Sequence, residues 1–119
     1  MEKALLNFVT AKTQDLLAAP SACQEVKAAA TAWLAAVGTE KEAEETAKYI
    51  AELEADIMPI DGLIAFAQTE LALQNFGAEG VQRLKAHAQE HKASGAKYCD
   101  CPACAPCKDI LDRKTEILQ

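Results

Sequence analysis

Apolar and polar positions recur along most of this chain with the 3.6-residue period of amphipathic helices, and the period breaks at proline and glycine. A first helix is predicted from about Lys3 to Ala18, with Leu5, Val9 and Leu16 on one line and Leu6, Thr13 and Leu17 beside it. Pro20 stops it. Ser21, with Gln24 three residues on, reads as a capping box that opens a second helix. The buried stripe of that helix is Cys23, Val26, Ala30, Trp33 and Val37. Gly38 fits the left-handed residue after a helix C-terminus. Thr39 and Glu42 form another capping box, and a third helix runs to about Met58, burying Ala43, Ala47, Ile50, Leu53 and Ile57. Pro59 biases Met58 away from helix. Asp61 can cap a fourth helix that buries Leu63, Ile64, Ala67, Leu71 and Phe76. Gly77 and Gly80 bracket a short turn. A fifth helix, about Glu79 to Ala93, buries Val81, Leu84, Ala88 and His91, and Ser94-Gly95 ends it. After a cysteine-rich loop at 98–107 comes a last helix, about Ala103 to Leu118, with Cys107, Ile110, Leu111, Lys114 and Ile117 on one side. No segment alternates as a half-buried strand does. The pattern therefore predicts an all-α, single-domain bundle of five to six helices over residues 1–119.

Composition agrees with that picture and narrows the function. A chain of 119 residues is long enough to bury a core without covalent staples. Half of it is apolar, and alanines such as Ala28, Ala29 and Ala30 would let helices approach closely. The net charge of -6 argues against nucleic acid and anionic membranes as main partners. No apolar run is long enough to span a bilayer, and the Met1-Glu2-Lys3 start lacks a signal-peptide core, so a cytoplasmic location is expected. Charge is unevenly spread. Between Thr39 and Asp61 stand eight acids against Lys41 and Lys48, whereas Val81 to Lys97 carries Arg83, Lys85, Lys92 and Lys97 against Glu90. Both read as solvated helix faces, with the basic stretch also able to favour nearby thiolates.

The chemistry concentrates in Tyr98-Cys99-Asp100-Cys101-Pro102-Ala103-Cys104-Ala105-Pro106-Cys107. Four of the five cysteines fall here, spaced C-x-C-x2-C-x2-C. In a reducing compartment such crowding points to a metal or to redox exchange rather than to a disulfide framework. Zinc needs four donors in a tetrahedron, and Cys99, Cys101, Cys104 and Cys107 are the simplest set. The longer gap that separates the two knuckles of an ordinary zinc motif is missing, so a distant residue can replace one of the four. Cys23 is such a candidate, set in a first helical turn where the dipole favours a thiolate, although a small core hydrophobe explains it as well. His87 and His91, one helical turn apart, are the other candidates. The spacing Cys101-x2-Cys104-x2-Cys107 also matches three ligands of a bacterial ferredoxin cluster, without the fourth cysteine and its proline. An iron–sulfur site is therefore a weaker alternative to zinc. Because the first five helices have their own apolar stripes, metal removal is expected to loosen the chain from about Ala96 onward and to leave the bundle folded.

Redox chemistry is the other alternative. Cys101-Pro102-Ala103-Cys104 is a dithiol just before a helix, where the N-terminal dipole lowers the first thiol's pKa. It looks like the glutaredoxin dithiol, but that family places it after a strand. Helical proteins of the alkylhydroperoxidase D family carry Cys-x2-Cys on a helix, with a histidine a few residues later. Here Ile110 and Leu111 occupy that neighbourhood, while His87, Glu90 and His91 lie before it.

The stretches Ala51-Glu52-Leu53-Glu54-Ala55-Asp56-Ile57-Met58-Pro59-Ile60-Asp61-Gly62-Leu63-Ile64 and Gly95 to Cys104 resemble a group of short bacterial proteins of unknown function, often labelled "molecular chaperone Hsp90". The resemblance covers most of the chain and carries the motif C-D-C-P-A-C onto Cys99, Cys101 and Cys104, with Cys107 outside it. The label implies an ATP-binding α/β domain with glycine-rich phosphate loops. Five glycines, none in such a loop, exclude that activity. The acids Glu40, Glu44, Glu45 and Glu52 lack the Glu-x-x-His of a di-iron bundle. Trp33 and Tyr49 read as core residues, and Asp56 and Asp61 as a cap and a solvated carboxylate. The expectation is a small helical binding protein with an unknown protein partner, non-enzymatic unless it is a thiol oxidoreductase.

Overall fold

The computed structural model describes residues 1–119 and is all-α: seven helices and no strand. They are α1 (Lys3–Ala18), α2 (Gln24–Ala36), α3 (Glu42–Asp56), α4 (Ile60–Ala67), α5 (Glu70–Ala93), α6 (Cys104–Leu111) and α7 (Lys114–Ile117). The chain forms two compact units. One comprises Met1–Ile57 with Asp100–Gln119, the other Met58–Cys99.

In the first unit, α2 packs on α3, and α1 on both α2 and α6. The core holds Leu5, Val9 and Leu16 of α1, Val26, Ala30 and Trp33 of α2, Tyr49, Ile50 and Leu53 of α3, and Ile110. Trp33 stacks on Tyr49 at 5.5 Å between ring centroids. Its indole Nε1–H donates to Thr46 Oγ1 at 2.9 Å. The hydroxyls of Thr13 and Tyr49, both buried, lie 2.8 Å apart. Thr13 Oγ1 also donates to the Val9 carbonyl. Its one proton is thus committed, so Tyr49 is the donor in the pair. The expected faces of α1 and α2 hold except at the ends of the second stripe, where Cys23 is exposed and Ala36 takes the place of Val37. The buried face of α3 is rotated: Thr46 and Tyr49 turn inward, and Ala43 and Ala47 are exposed. A large ring and its hydroxyl partners fill the space against Trp33 better than two methyl groups would.

Two helix starts differ from the capping-box readings. The second helix begins at Gln24, with Cys23 as its N-cap. Ser21 is used elsewhere, as described below. At the third, Thr39 Oγ1 accepts from the Lys41 amide, while Glu42 reaches back to the Gly38 amide at 3.1 Å. The predicted residues do cap the turn, one position earlier than in an ideal box. The C-terminal segment is part of this core rather than an appendage. Ile110 is fully buried, Ile117 is buried, and α6 packs on α1 and α3. The predicted last helix is broken into α6 and α7 around Asp112 and Arg113.

In the second unit, α4 packs against α5. The fourth helix ends at Ala67, not at Phe76, and Thr69 caps the next by accepting from the Ala72 amide. The expected burial of Leu71 and Phe76 is overturned, since both are more than half exposed. Nor is there a turn between Gly77 and Gly80. The chain instead kinks at Gly77, whose φ of 72° is open to glycine at little cost, and helix resumes to Ala93. Val81 and Ala88 are buried as predicted, whereas Leu84 and His91 are only partly covered. Met58–Ile60 pairs antiparallel with Lys97–Cys99. The Ile60 amide donates to the Lys97 carbonyl, and the Cys99 amide to the Met58 carbonyl at 2.8 Å. Asp61 does not cap α4. Pro59 holds that position, and Asp61 pairs with Lys92 at 2.7 Å.

Candidate metal centre

Cys99, Cys101 and Cys104 bring their sulfurs together on one six-residue loop, all within 4.8 Å of one another. Each is placed by a different local device. The Cys99 backbone is pinned by its amide bond to Met58, next to the Pro59–Tyr98 bridge. Cys104 is the first residue of α6, so helix geometry fixes its Cβ. Cys101 is held by donors to its sulfur: the Cys104 amide at 3.3 Å and the Ser21 hydroxyl at 3.4 Å. Pro102 presets the bend between them, as its ring fixes φ. Donors aimed at sulfur stabilise the thiolate over the thiol. Cys99 and Cys104 are buried and Cys101 is half-buried.

Four thiolates around zinc at Zn–S of about 2.3 Å stand about 3.8 Å apart. The observed trio is within a small side-chain adjustment of that spacing. No disulfide is present, and all five cysteines are thiols. The arrangement is a three-donor soft site able to hold a metal ion.

The other sequence candidates are placed as follows. Cys107 lies one turn into α6, 3% exposed, outside the trio. Burial pushes its thiol up to about 12, with Asp56, Cys101 and Cys23 adding to the rise. Cys23 is exposed, which overturns its reading as a core hydrophobe. Its thiol is not activated by the helix start either. Partial desolvation raises its pKa, the Val26 amide opposes this, and Asp56 and Glu25 reinforce it. Desolvation, with the carboxylates adding to it, outweighs the Val26 amide at the helix start. His87 and His91 stack ring on ring at 5.7 Å within α5, His87 exposed and His91 partly covered.

The sequence does not show the placement of two further residues, Ser21 and Asp56. Ser21 was assigned to a helix cap, but its hydroxyl serves Cys101 across 80 positions of chain. Asp56 is expected to be a solvated carboxylate, yet its Oδ2 is shielded from solvent and takes no hydrogen bond. No local signal marks a serine that reaches that far. The only hint for Asp56 was its position, since an acid at a helix C-terminus opposes the dipole. Alongside the loop, an open cleft of about 380 Å³ is lined by Pro20, Pro102, Pro106 and the Lys12–Asp109 ion pair. Compared with protein-family models, curated proteins and solved structures, the chain matches none significantly, so its own site chemistry carries the functional argument.

Proposed function

We propose that this chain is a small, non-enzymatic metal-binding protein in which Cys99, Cys101 and Cys104 hold a zinc ion and thereby set the shape of a surface for a protein partner. The observation that carries the reading is the convergence of three sulfurs within 4.8 Å on one loop. Zinc is favoured over harder ions by an all-sulfur donor set. The fourth coordination position is open to water or to a partner's side chain, because Cys107 remains on the buried face of α6. A reducing compartment such as the cytoplasm suits a chain whose five cysteines form no disulfide. The resemblance to proteins with C-D-C-P-A-C supports the same three ligands, since that motif ends at Cys104.

The test is elemental analysis of protein purified under reducing conditions without oxygen. Bound zinc that Cys101→Ser abolishes supports the reading, and iron with visible colour would replace it by an iron–sulfur centre.

A second reading rests on the two hydrogen bonds to Cys101 Sγ, which also suit an attacking thiolate. Cys101 would attack a disulfide of a substrate, releasing one substrate thiolate. Cys104 would then displace the other, leaving a Cys101–Cys104 disulfide and a reduced substrate. Metal-free protein whose Cys101 alkylates rapidly at neutral pH would favour this reading over the first.

A further inference from the structure

Serine is among the best N-cap residues of a helix. Ser21 stands two places before the N-cap of α2, yet that position is filled by Cys23, whose sulfur is a weaker acceptor than a hydroxyl oxygen. The Ser21 hydroxyl instead donates to Cys101 Sγ at 3.4 Å. A chain sets a local preference aside where the group is held for another purpose. The turn around Ser21 fixes its placement. The Ala22 amide donates to the Ala19 carbonyl at 3.3 Å and closes that turn over Pro20 and Ser21. The ring of Pro20 sets its φ. Buried Ala19 ties the turn to the end of α1, because its amide donates to the Leu16 carbonyl. That helix packs on α6, which begins at Cys104. Pro20 and Pro102, the chain neighbours of Ser21 and Cys101, line one cleft. All these residues belong to the first unit. The Cys104 amide is the loop's own donor to the Cys101 sulfur, at 3.3 Å. Ser21 brings a second donor from 80 positions away.

We infer that Ser21 is a positioning residue of the metal centre, its hydroxyl holding Cys101 Sγ in the orientation that meets an ion of the zinc class; the inference rests on the metal-binding reading proposed above. A ligand sulfur swings on its side-chain torsion unless a group behind it holds it. Two donors aimed at one sulfur narrow that swing before the ion arrives, so less freedom is lost on binding. With the ion in place, the same hydrogen bond draws electron density from the sulfur and lowers the energy of its lone pair. Ser21 acts on the ligand and not on the ion.

The full chain, reduced and stripped of metal, is titrated with Co2+ without oxygen beside its Ser21→Ala and Ser21→Thr variants, and thiolate-to-cobalt absorption is read. Ser21→Ala should weaken cobalt binding on the order of 10- to 100-fold, the usual cost of losing a hydrogen-bond partner of a metal ligand. Its absorption should also move to longer wavelength, since the sulfur lone pair is no longer lowered in energy. Ser21→Thr keeps the hydroxyl and should stay close to the unaltered chain in both affinity and spectrum. Equal binding by all three chains, with one spectrum, overturns the inference and leaves the metal-binding reading standing. Weakened binding in Ser21→Ala with an unmoved absorption also overturns it, because the serine then only supports the turn. So does a Ser21→Thr chain as weak as Ser21→Ala, for the hydroxyl is then not the active group. An unaltered chain that takes up no cobalt overturns the metal-binding reading, and this inference with it.

Discussion

At the residue scale, the Thr13–Tyr49 pair shows how a polar group is tolerated in this core. Tyr49 donates to Thr13, whose proton goes to the Val9 carbonyl, so neither hydroxyl donor is wasted. Tyr49→Phe should cost about 1 kcal/mol in urea unfolding, since it removes one donor and leaves the Thr13 acceptor unmet. Burial raises the Tyr49 phenol from 10.0 to about 12. The folded state thus holds that proton more tightly than the unfolded chain. Its contribution, on the order of 2–3 kcal/mol, is complete below about pH 10 and is lost as pH rises toward 12. Alkaline unfolding followed by circular dichroism should show that limb, and Tyr49→Phe should flatten it. Trp33 is the largest fully buried side chain, so Trp33→Ala should destabilise by about 3–5 kcal/mol. Its loss also strips Thr46 Oγ1 of its donor.

At the element scale, the informative places are the broken helices. Gly77 lets the chain turn sharply between two helical stretches, and a Cβ there would meet nothing within 4 Å. The cost of Gly77→Ala is then backbone strain alone, about 1–3 kcal/mol, because φ 72° with ψ 170° is a region only glycine adopts freely. Gly80→Ala is different in kind, because its Cβ would fall 2.9 Å from Phe76 Cβ and force a shift of that exposed ring's backbone. Comparing the two by urea unfolding tests whether the kink or the close approach matters more. Periodicity could not place these breaks. Leu71, Leu73 and Phe76 look like core positions when read along one long helix, but the kink and the Thr69 cap leave all three largely in solvent.

At the scale of the whole molecule, the C-terminal segment has changed status. Sequence reasoning makes it a tail secured by metal. The structure buries Ile110 and Ile117 in the core of the first unit. Chelation should therefore leave far-UV circular dichroism nearly unchanged through α6 and α7, with hydrogen exchange quickening chiefly around residues 98–104. Loss of most helicity on chelation would show instead that the ion, not the apolar core, holds the fold, as in small zinc domains. Such folding energies, about 10–16 kcal/mol, can exceed a domain's whole stability of about 5–15 kcal/mol, so the two outcomes are well separated.

The order of apolar residues by itself determined that this chain is helical, where most helices begin, and which faces of α1 and α2 are buried, because those follow from a local period and from proline and glycine. The spacing of Cys99, Cys101 and Cys104 kept their sulfurs on one short loop, but the Met58 pairing and the start of α6 brought them together. Tertiary structure alone decided that Tyr49 rather than Ala47 turns inward, that Ser21 serves a distant sulfur, that Cys23 is exposed, and that Cys107 lies buried outside the trio. Those outcomes depend on which helices pack together, and packing between residues far apart in sequence leaves no trace in the pattern of neighbours along the chain.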